Sequence, residues 1–241
     1  MRHLALERSL TDRTYDAILD AICGGGLAAG ARINQDEVAA RLNVSRQPVV
    51  QALALLKVQG FVRESGRRGV VVAPLDRNAI SHLYELRSAL DGAACRGAAR
   101  RGSADAKAWG PGLIQEGRAA VASGSVRRMI EADMRFHRFL YDLSGNPIIA
   151  ETAQLHWHHI RRLMGGYLQH YRVRASVWDE HEAILQAVMQ GDADVAEQRA
   201  RQHADGAAAS FIALAAQPTT QPDKPAGKRR RSHEADRGPD R

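Results

Sequence analysis

Residues 33–62, INQDEVAARLNVSRQPVVQALALLKVQGFV, constrain the chain more tightly than any other stretch. Asn34 suits a helix N-cap, Glu37 stands three residues on as in a capping box, and Val38, Ala39 and Leu42 make a short apolar stripe. A turn is predicted at Asn43 and Val44, after which Ser45 caps a second helix whose Val49, Ala52, Leu53 and Leu56 recur at helical spacing. The opposite face of that helix carries Arg46, Gln47 and Gln51. Two short helices joined so tightly form a helix-turn-helix. In that motif the start of the second helix reaches base edges in the major groove, where Arg can fork onto guanine and Gln onto adenine.

The next residues extend the motif. Phe61-Val62-Arg63-Glu64 and Gly69-Val70-Val71-Val72-Ala73 are β-rich runs joined by Ser65-Gly66-Arg67-Arg68, which predicts a hairpin wing with Arg67 and Arg68 at its tip for phosphate or minor-groove contact. A small helical domain with a basic surface is the plainer alternative, but it leaves the order helix, turn, helix, charged hairpin unexplained. Double-stranded DNA is therefore the expected partner.

Here the chain resembles the winged-helix domain of the GntR family of bacterial transcription regulators, whose recognition helix commonly begins Val-Ser-Arg-x-Pro-Val-Arg-Glu-Ala-Leu. This sequence reads Val44-Ser45-Arg46-Gln47-Pro48-Val49-Val50-Gln51-Ala52-Leu53, with Val50 where the family usually has a second arginine and Gln51 where it usually has glutamate. The resemblance spans about the first 75 residues.

A net charge of +7 suits a polyanionic partner. Cys23 and Cys95 lack CxxC spacing, which argues against a disulfide framework or a cysteine zinc site and for the cytoplasm. No apolar run approaches the roughly 20 residues of a membrane span, and no signal-peptide pattern opens the chain. Residues 4–23 are helical in pattern and stop at Gly24-Gly25-Gly26, where the absence of a Lys-Ser/Thr pair argues against a phosphate loop. The predicted organisation is a winged helix-turn-helix over 1–75, a helical domain over 76–216 and a disordered basic tail over 217–241. The tail cluster Lys228-Arg229-Arg230-Arg231 could add nonspecific attraction to DNA or simply be solvated.

From residue 76 onward strand signals nearly vanish. Pro74 ends the wing, Asp76 can cap the next helix, and Gly-rich punctuation divides the remainder into helices near 76–101, 103–122, 126–144, 146–169, 175–190 and 192–215. The fold class is mainly α, with an antiparallel all-α bundle following the winged domain.

Four residues concentrate the bundle's chemistry. Asp133 and His137 are four apart on a stripe shared with Val126, Met129, Ile130, Phe136 and Leu140, so an unpaired carboxylate there would be costly. His181 shares its stripe with Trp178, Ile184, Leu185 and Val188, and His203 with Ala207, Ser210, Phe211 and Leu214. Taken singly, each histidine reads as an ordinary core residue, and Asp133 could pair with Arg138 or Arg161. As a set, three inward histidines and an aspartate match a mixed nitrogen and oxygen site for a divalent metal, zinc first, with nickel or manganese also suited. His156, Trp157, His158 and His159 are adjacent rather than turn-spaced; surface or groove histidines are expected there, with Leu155 and Trp157 packing in the bundle or at a dimer contact.

The bundle also resembles the FCD ligand-binding domain of the FadR-type branch of the same family. That branch often carries Asp-x-x-x-His on one helix and a histidine on each of two later helices, which map to Asp133, His137, His181 and His203. Its effector pocket often contains an arginine in a Glu-Leu-Arg segment, here Glu85-Leu86-Arg87. The resemblance thus implies that Arg87 receives a carboxylate, with Ser144 and Asn146 as further polar candidates, although a salt bridge from Arg87 to Glu85 or Asp91 would serve structure alone. The predicted protein is a homodimeric regulator, a repressor by expectation, whose operator affinity responds to a small organic acid held at the metal. The competing readings are a metal-dependent hydrolase using the same ligands and a metal-free regulator with an acyl chain in its bundle.

Overall fold

A computed structural model describes residues 8–66, 69–170 and 176–215, and it leaves out the side chains of 169, 170 and 214. Arg67 and Arg68, the start of the chain through residue 7 and the basic tail therefore lie outside the described residues.

The N-terminal unit is built on three helices and a small sheet. Helix α1 (Leu10–Cys23) begins at a capping box, in which the Ser9 hydroxyl accepts from the Asp12 amide and the Asp12 carboxylate accepts from the Ser9 amide. Its start at Leu10 corrects the expectation of a helix from residue 4, because Arg8 and Ser9 are already non-helical. A short strand, β1 (Arg32–Ile33), was not evident in the sequence, since two residues carry no periodicity of their own. Asn34 caps α2 (Gln35–Leu42) by accepting from the amides of Asp36 and Glu37. Asn43 then takes a left-handed conformation (φ 52°), which its short polar side chain tolerates, and the chain turns into α3 (Arg46–Val58). Ser45 stands at the N-cap of α3 but makes no side-chain cap hydrogen bond, contrary to the role expected of it. Strands β2 (Val62–Ser65) and β3 (Gly69–Val72) pair antiparallel from Val62 with Val72 to Ser65 with Gly69, and β1 joins the other edge of β3 to give the order β1-β3-β2. Val49, Ala52 and Leu56 are fully buried against Ile18, Leu19, Phe61 and Val72.

The second unit consists of α4 (Arg77–Arg101), α5 (Ser103–Ala122), α6 (Val126–Leu143), α7 (Pro147–His170), α8 (Ser176–Gln190) and α9 (Ala193–Ala215). Every boundary falls within one residue of the helical periodicity. Asp76 caps α4 by accepting from the Ala79 amide at 2.8 Å, and Gly124, Gly145 and Gly191 supply the positive φ angles (67°, 67° and 78°) that follow α5, α6 and α8. The core joins Phe136, Leu140, Trp178, Ile184 and Val188 to small residues such as Ala98, Ala196 and Ala200. Gly117 of α5 is a required gap: a Cβ there would lie 2.0 Å from the Trp178 ring, so the indole can seat itself beneath His181 only because α5 offers no side chain at that point.

Helix α7 carries the contacts between the two units. His159 stacks on Phe61 with ring centroids 4.0 Å apart and planes inclined by 3°, and its Nε2 donates to the Gln59 carbonyl at 2.8 Å. Arg162 donates to the Ala73 carbonyl, Arg161 pairs with Asp20 at 2.8 Å, and the Cys23 thiol reaches the His158 carbonyl at 3.5 Å. Gly165 lets the two backbones touch, since a Cβ at that position would sit 2.6 Å from the Cys23 carbonyl oxygen. The histidine cluster of α7 is thus a gripping surface rather than a ligand set. Leu155, by contrast, is exposed.

Candidate functional site

The amphipathic stripe of α6 turns Asp133 and His137 inward beside Phe136, and α8 and α9 bring His181 and His203 to meet them. All four are buried. The three histidines each offer a ring nitrogen within 4.8 Å of the others. His181 Nε2 and His203 Nε2 are 3.1 Å apart, and Asp133 Oδ1 lies 3.6 Å from His181 Nε2 and 3.9 Å from His137 Nε2. Nitrogens bound tetrahedrally to zinc at about 2.0 to 2.1 Å would be separated by roughly 3.3 to 3.4 Å, so the His181–His203 pair is near the spacing of a common ion's ligands while the other candidate ligand atoms are set wider, within 4.8 Å for the histidines. The paired arginines considered for Asp133 are engaged elsewhere, Arg138 with Asp142 and Arg161 with Asp20. Asp133 Oδ2 and His181 Nδ1 have no hydrogen-bond partner among the described residues.

The protonation states favour metal binding by the imidazoles. Burial pushes His137 and His181 well below their ordinary range, reinforced by the positive field of Arg87 and by neighbouring histidines, so both rings are neutral near pH 7 and keep a lone pair. Burial raises the Asp133 carboxyl, and Arg87 and His203 oppose that shift only in part.

Arg87 lies at the centre of a second layer. Its Nε donates to Asp91 at 3.2 Å, one NH2 group to the Tyr84 hydroxyl at 3.3 Å and the other to His137 Nε2 at 2.8 Å, while its guanidinium lies 5.1 Å from the Trp157 ring centroid. A guanidinium only donates, so Nε2 is the lone-pair nitrogen of His137, and an ion bound through that nitrogen would take the place of the Arg87 contact. Burial works against the charge of Arg87, and Asp91, Tyr84 and Asp133 more than offset it. Of the alternatives open in the sequence, Asp91 is the salt-bridge partner. Tyr141 completes this layer by donating to Asp91 at 2.5 Å. Tyr141 stands four residues after His137, a spacing that could have identified it.

A cavity of about 90 Å³ opens against Arg87, Asp133 and His203, with Tyr84, Glu180 and Phe211 among its other walls. Ser144 and Asn146 are not on it. Ser144 is fully buried, donates to the Tyr141 carbonyl at 2.6 Å and accepts from the Asn146 amide, while Asn146 accepts from the Ile148 amide at the start of α7. Their polarity serves the turn between α6 and α7, so the geometry gives no support to an effector role for either.

On the N-terminal unit, Arg46, Gln47 and Gln51 are all exposed along α3. Arg46 Nε donates to the Gln35 side chain at 3.1 Å, and its guanidinium is 3.7 Å from Asp36, so α2 holds it in place at the N-terminal end of α3. The Gln51 side chain accepts from Thr11 at 2.7 Å. Val50 is likewise exposed.

Comparison with known proteins agrees with these features. Residues 10–72 match the bacterial regulatory proteins of the gntR family and residues 82–206 match the FCD domain. The chain is 33% identical over 127 residues to the Nta operon transcriptional regulator of Aminobacter aminovorans, covering 52% of this chain and 59% of that protein, and therefore spans less than two thirds of its length. It is 27% identical over 215 residues to the HTH-type transcriptional regulator YieP of Escherichia coli (strain K12), covering 81% of this chain and 92% of YieP. Among solved structures, E. coli McbR/YncC superposes with a TM-score of 0.74 at 18% identity, covering 86% of this chain and 99% of that one, which supports the fold. Among the described residues no helix is long and apolar enough to cross a membrane. With both parts matched in order, the chain belongs to the GntR family of DNA-binding transcriptional regulators and carries an FCD domain.

Proposed function

We propose that the protein is a homodimeric repressor whose operator affinity is set by a small organic acid bound beside a divalent metal, zinc by first expectation, in the FCD domain. The observation that carries this reading is the convergence of His137, His181 and His203 on a buried carboxylate, Asp133, that lacks a close cationic partner among the described residues. The cavity wall carries one guanidinium, Arg87, which is already paired with Asp91 behind it, and the carboxylates of Asp133 and Glu180, while His137 and His181 are neutral. An incoming carboxylate would meet excess negative charge in that setting, whereas a divalent ion offsets it. When bound, such an ion supplies a Lewis-acidic position for an acid's oxygen. His137, His181, His203 and Asp133 would hold it. Arg87 and Tyr84 would orient a second polar group of the acid, and Phe211 would exclude water.

The acyl-chain alternative has less support, because a cavity of about 90 Å³ is small for a long hydrocarbon and Asp133, Arg87 and His203 interrupt its otherwise largely apolar wall. The hydrolase reading is set aside in favour of the family's regulatory role.

Helix α7 gives the site a route to the DNA-binding unit. Trp157 packs on Arg87 and His137, with ring centroids 5.5 Å apart in the latter pair, while His159 and Arg162 of the same helix hold the winged domain. A ligand that favours one position of α7 would alter the spacing of the two DNA-reading heads in a dimer, with typical coupling of about 1 to 3 kcal/mol, or roughly 5- to 150-fold in operator affinity. Elemental analysis of purified wild type, His137→Ala and His181→Ala is the first test, paired with operator binding measured against hydroxy, keto, sugar and dicarboxylic acids. Metal content that is equal in all three proteins refutes the site. An acid that binds without changing operator affinity refutes the switch.

A further inference from the structure

The three histidines do not have equal surroundings. His203 Nδ1 lies 2.8 Å from Glu180 Oε2, whereas the nearest carboxylate oxygen to His137 Nδ1, on Asp91, is 3.6 Å away, and His181 Nδ1 has no partner among the described residues. Glu180 is on α8, one residue before His181 in sequence, yet its side chain reaches across to α9. Its carboxylate is 43% exposed while the His203 side chain is 6% exposed, so the pair runs from solvent into the site. Both residues line the inner cavity and also an open groove between α8 and α9, where Arg199, Gln202 and Gly206 form the outer wall.

A carboxylate accepts, so the contact fixes the His203 proton on Nδ1 and leaves the Nε2 lone pair facing inward, 3.1 Å from His181 Nε2. A hydrogen-bonded carboxylate also makes an imidazole a stronger ligand and holds its ring plane. We infer that Glu180 is a positioning residue for the metal site, acting through His203 from the α8–α9 groove rather than by contact with the ion. This rests on the proposed metal-binding function and adds to it a residue outside the ligand set. Glu180 was not among the candidates in the sequence, because no spacing along the chain relates position 180 to position 203.

The test uses the full-length chain, stripped of metal and titrated with Co²⁺, whose visible absorption reports ligand number and geometry, together with Zn²⁺ affinity by chelator competition. Glu180→Ala is expected to weaken Zn²⁺ binding by about 10- to 100-fold and to alter the Co²⁺ spectrum, because His203 is free to turn or to change tautomer. Glu180→Gln, which can still accept from Nδ1 but is uncharged, should fall between wild type and Glu180→Ala and should keep the wild-type spectrum. Melting of the metal-free proteins provides the folding control and should be similar for all three. Wild-type affinity and spectrum in Glu180→Ala would overturn the inference while leaving the metal site intact. Equal losses in the Ala and Gln variants with spectra unchanged would overturn it as well, pointing to a general field effect. A wild-type protein that binds neither ion overturns both the inference and the function on which it rests.

Discussion

Replacing Arg87 should reveal how far the site's electrostatics also hold the fold together. The guanidinium and the Asp91 carboxylate are almost fully buried, with side chains 5% and 2% exposed, and Arg87 is also bound to Tyr84 and His137 and packed on Trp157. Among the described residues, Arg87→Ala leaves Asp91 with the Tyr141 hydroxyl and the more distant His137 ring. Removing one member of a buried ion pair costs about 3 to 5 kcal/mol, a large share of a typical 5 to 15 kcal/mol stability. At roughly 2 to 4 °C per kcal/mol for a chain of this size, the melting temperature should fall by about 6 to 20 °C. The double variant Arg87→Met/Asp91→Leu removes both charges and replaces them with apolar volume; it should remain within about 1 to 2 kcal/mol of wild type, the residual loss coming from the hydrogen bonds of Tyr84, His137 and Tyr141. Urea unfolding of the metal-free proteins, with heat denaturation in parallel, measures all of these. A double variant as unstable as the sum of Arg87→Met and Asp91→Leu would refute the account, since it would mean that the two charges are not each other's compensation. The same reasoning makes Arg87→Lys the better probe of acid binding. It keeps a charge but cannot serve Asp91, Tyr84 and His137 together.

Arg46→Ala should weaken operator binding by about 1 to 3 kcal/mol and relax base preference, as measured by band shift across operator variants, and unchanged selectivity would remove Arg46 from the reading set. Val50→Arg should tighten binding to many sequences and steepen the salt dependence by about one ion, so a flat response would mean that position 50 does not face phosphate. Lowering the pH of metal-free protein from 7 towards 5 should lower its melting temperature. Burial holds His137 and His181 well below their ordinary 6.5, so their contribution is fully present above 6.5 and is lost as pH falls, each at up to about 1.4 kcal/mol per pH unit. Asp133, raised above its ordinary 3.8, works in the opposite direction and returns part of the loss, so a melting temperature that rises on acidification would refute the neutral assignment of the two rings. Gly165→Ala places a methyl 2.6 Å from the Cys23 carbonyl, and it should loosen the winged domain from α7 and blunt the operator's response to effector while metal content stays at the wild-type level. A wild-type response would show that this contact does not carry the switch.

What the sequence made legible follows the strength of its local signals. The six bundle helices could be read because apolar periodicity is sustained over fifteen or more residues and is interrupted by glycines that the backbone uses in left-handed turns. Asp133 and His137 were visible because a four-residue spacing puts both on a stripe that is otherwise apolar. Tertiary contacts carried no comparable signal. Strand β1 exists because β3 offers it an edge, and Glu180 matters because α9 brings His203 within 2.8 Å. Ser144 and Asn146 lie away from the cavity for a related reason. Hydroxyl and amide side chains at a helix end commonly satisfy backbone groups, as these two do.

The histidine-rich run of α7 makes the point about adjacency most directly. Consecutive residues on a helix face different directions, so Trp157 can lie under Arg87 and His137 while His159, two positions on, stacks against Phe61 of the winged domain. The feature that disqualifies 156–159 as a metal cluster is therefore the one that lets a single turn of helix touch both units. Such a turn moves as one body, because its backbone hydrogen bonds resist independent displacement of neighbouring residues. A shift of the Trp157 ring by a tighter Arg87 or a reoriented His137 must consequently move His159 against Phe61 or strain the helix between them. His159→Ala separates these cases: it removes the stack and the hydrogen bond to the Gln59 carbonyl, together worth about 1 to 3 kcal/mol of docking. If α7 is the link, operator affinity in this variant should lose its dependence on acid while acid affinity itself changes little, and a dependence that survives intact would place the link elsewhere.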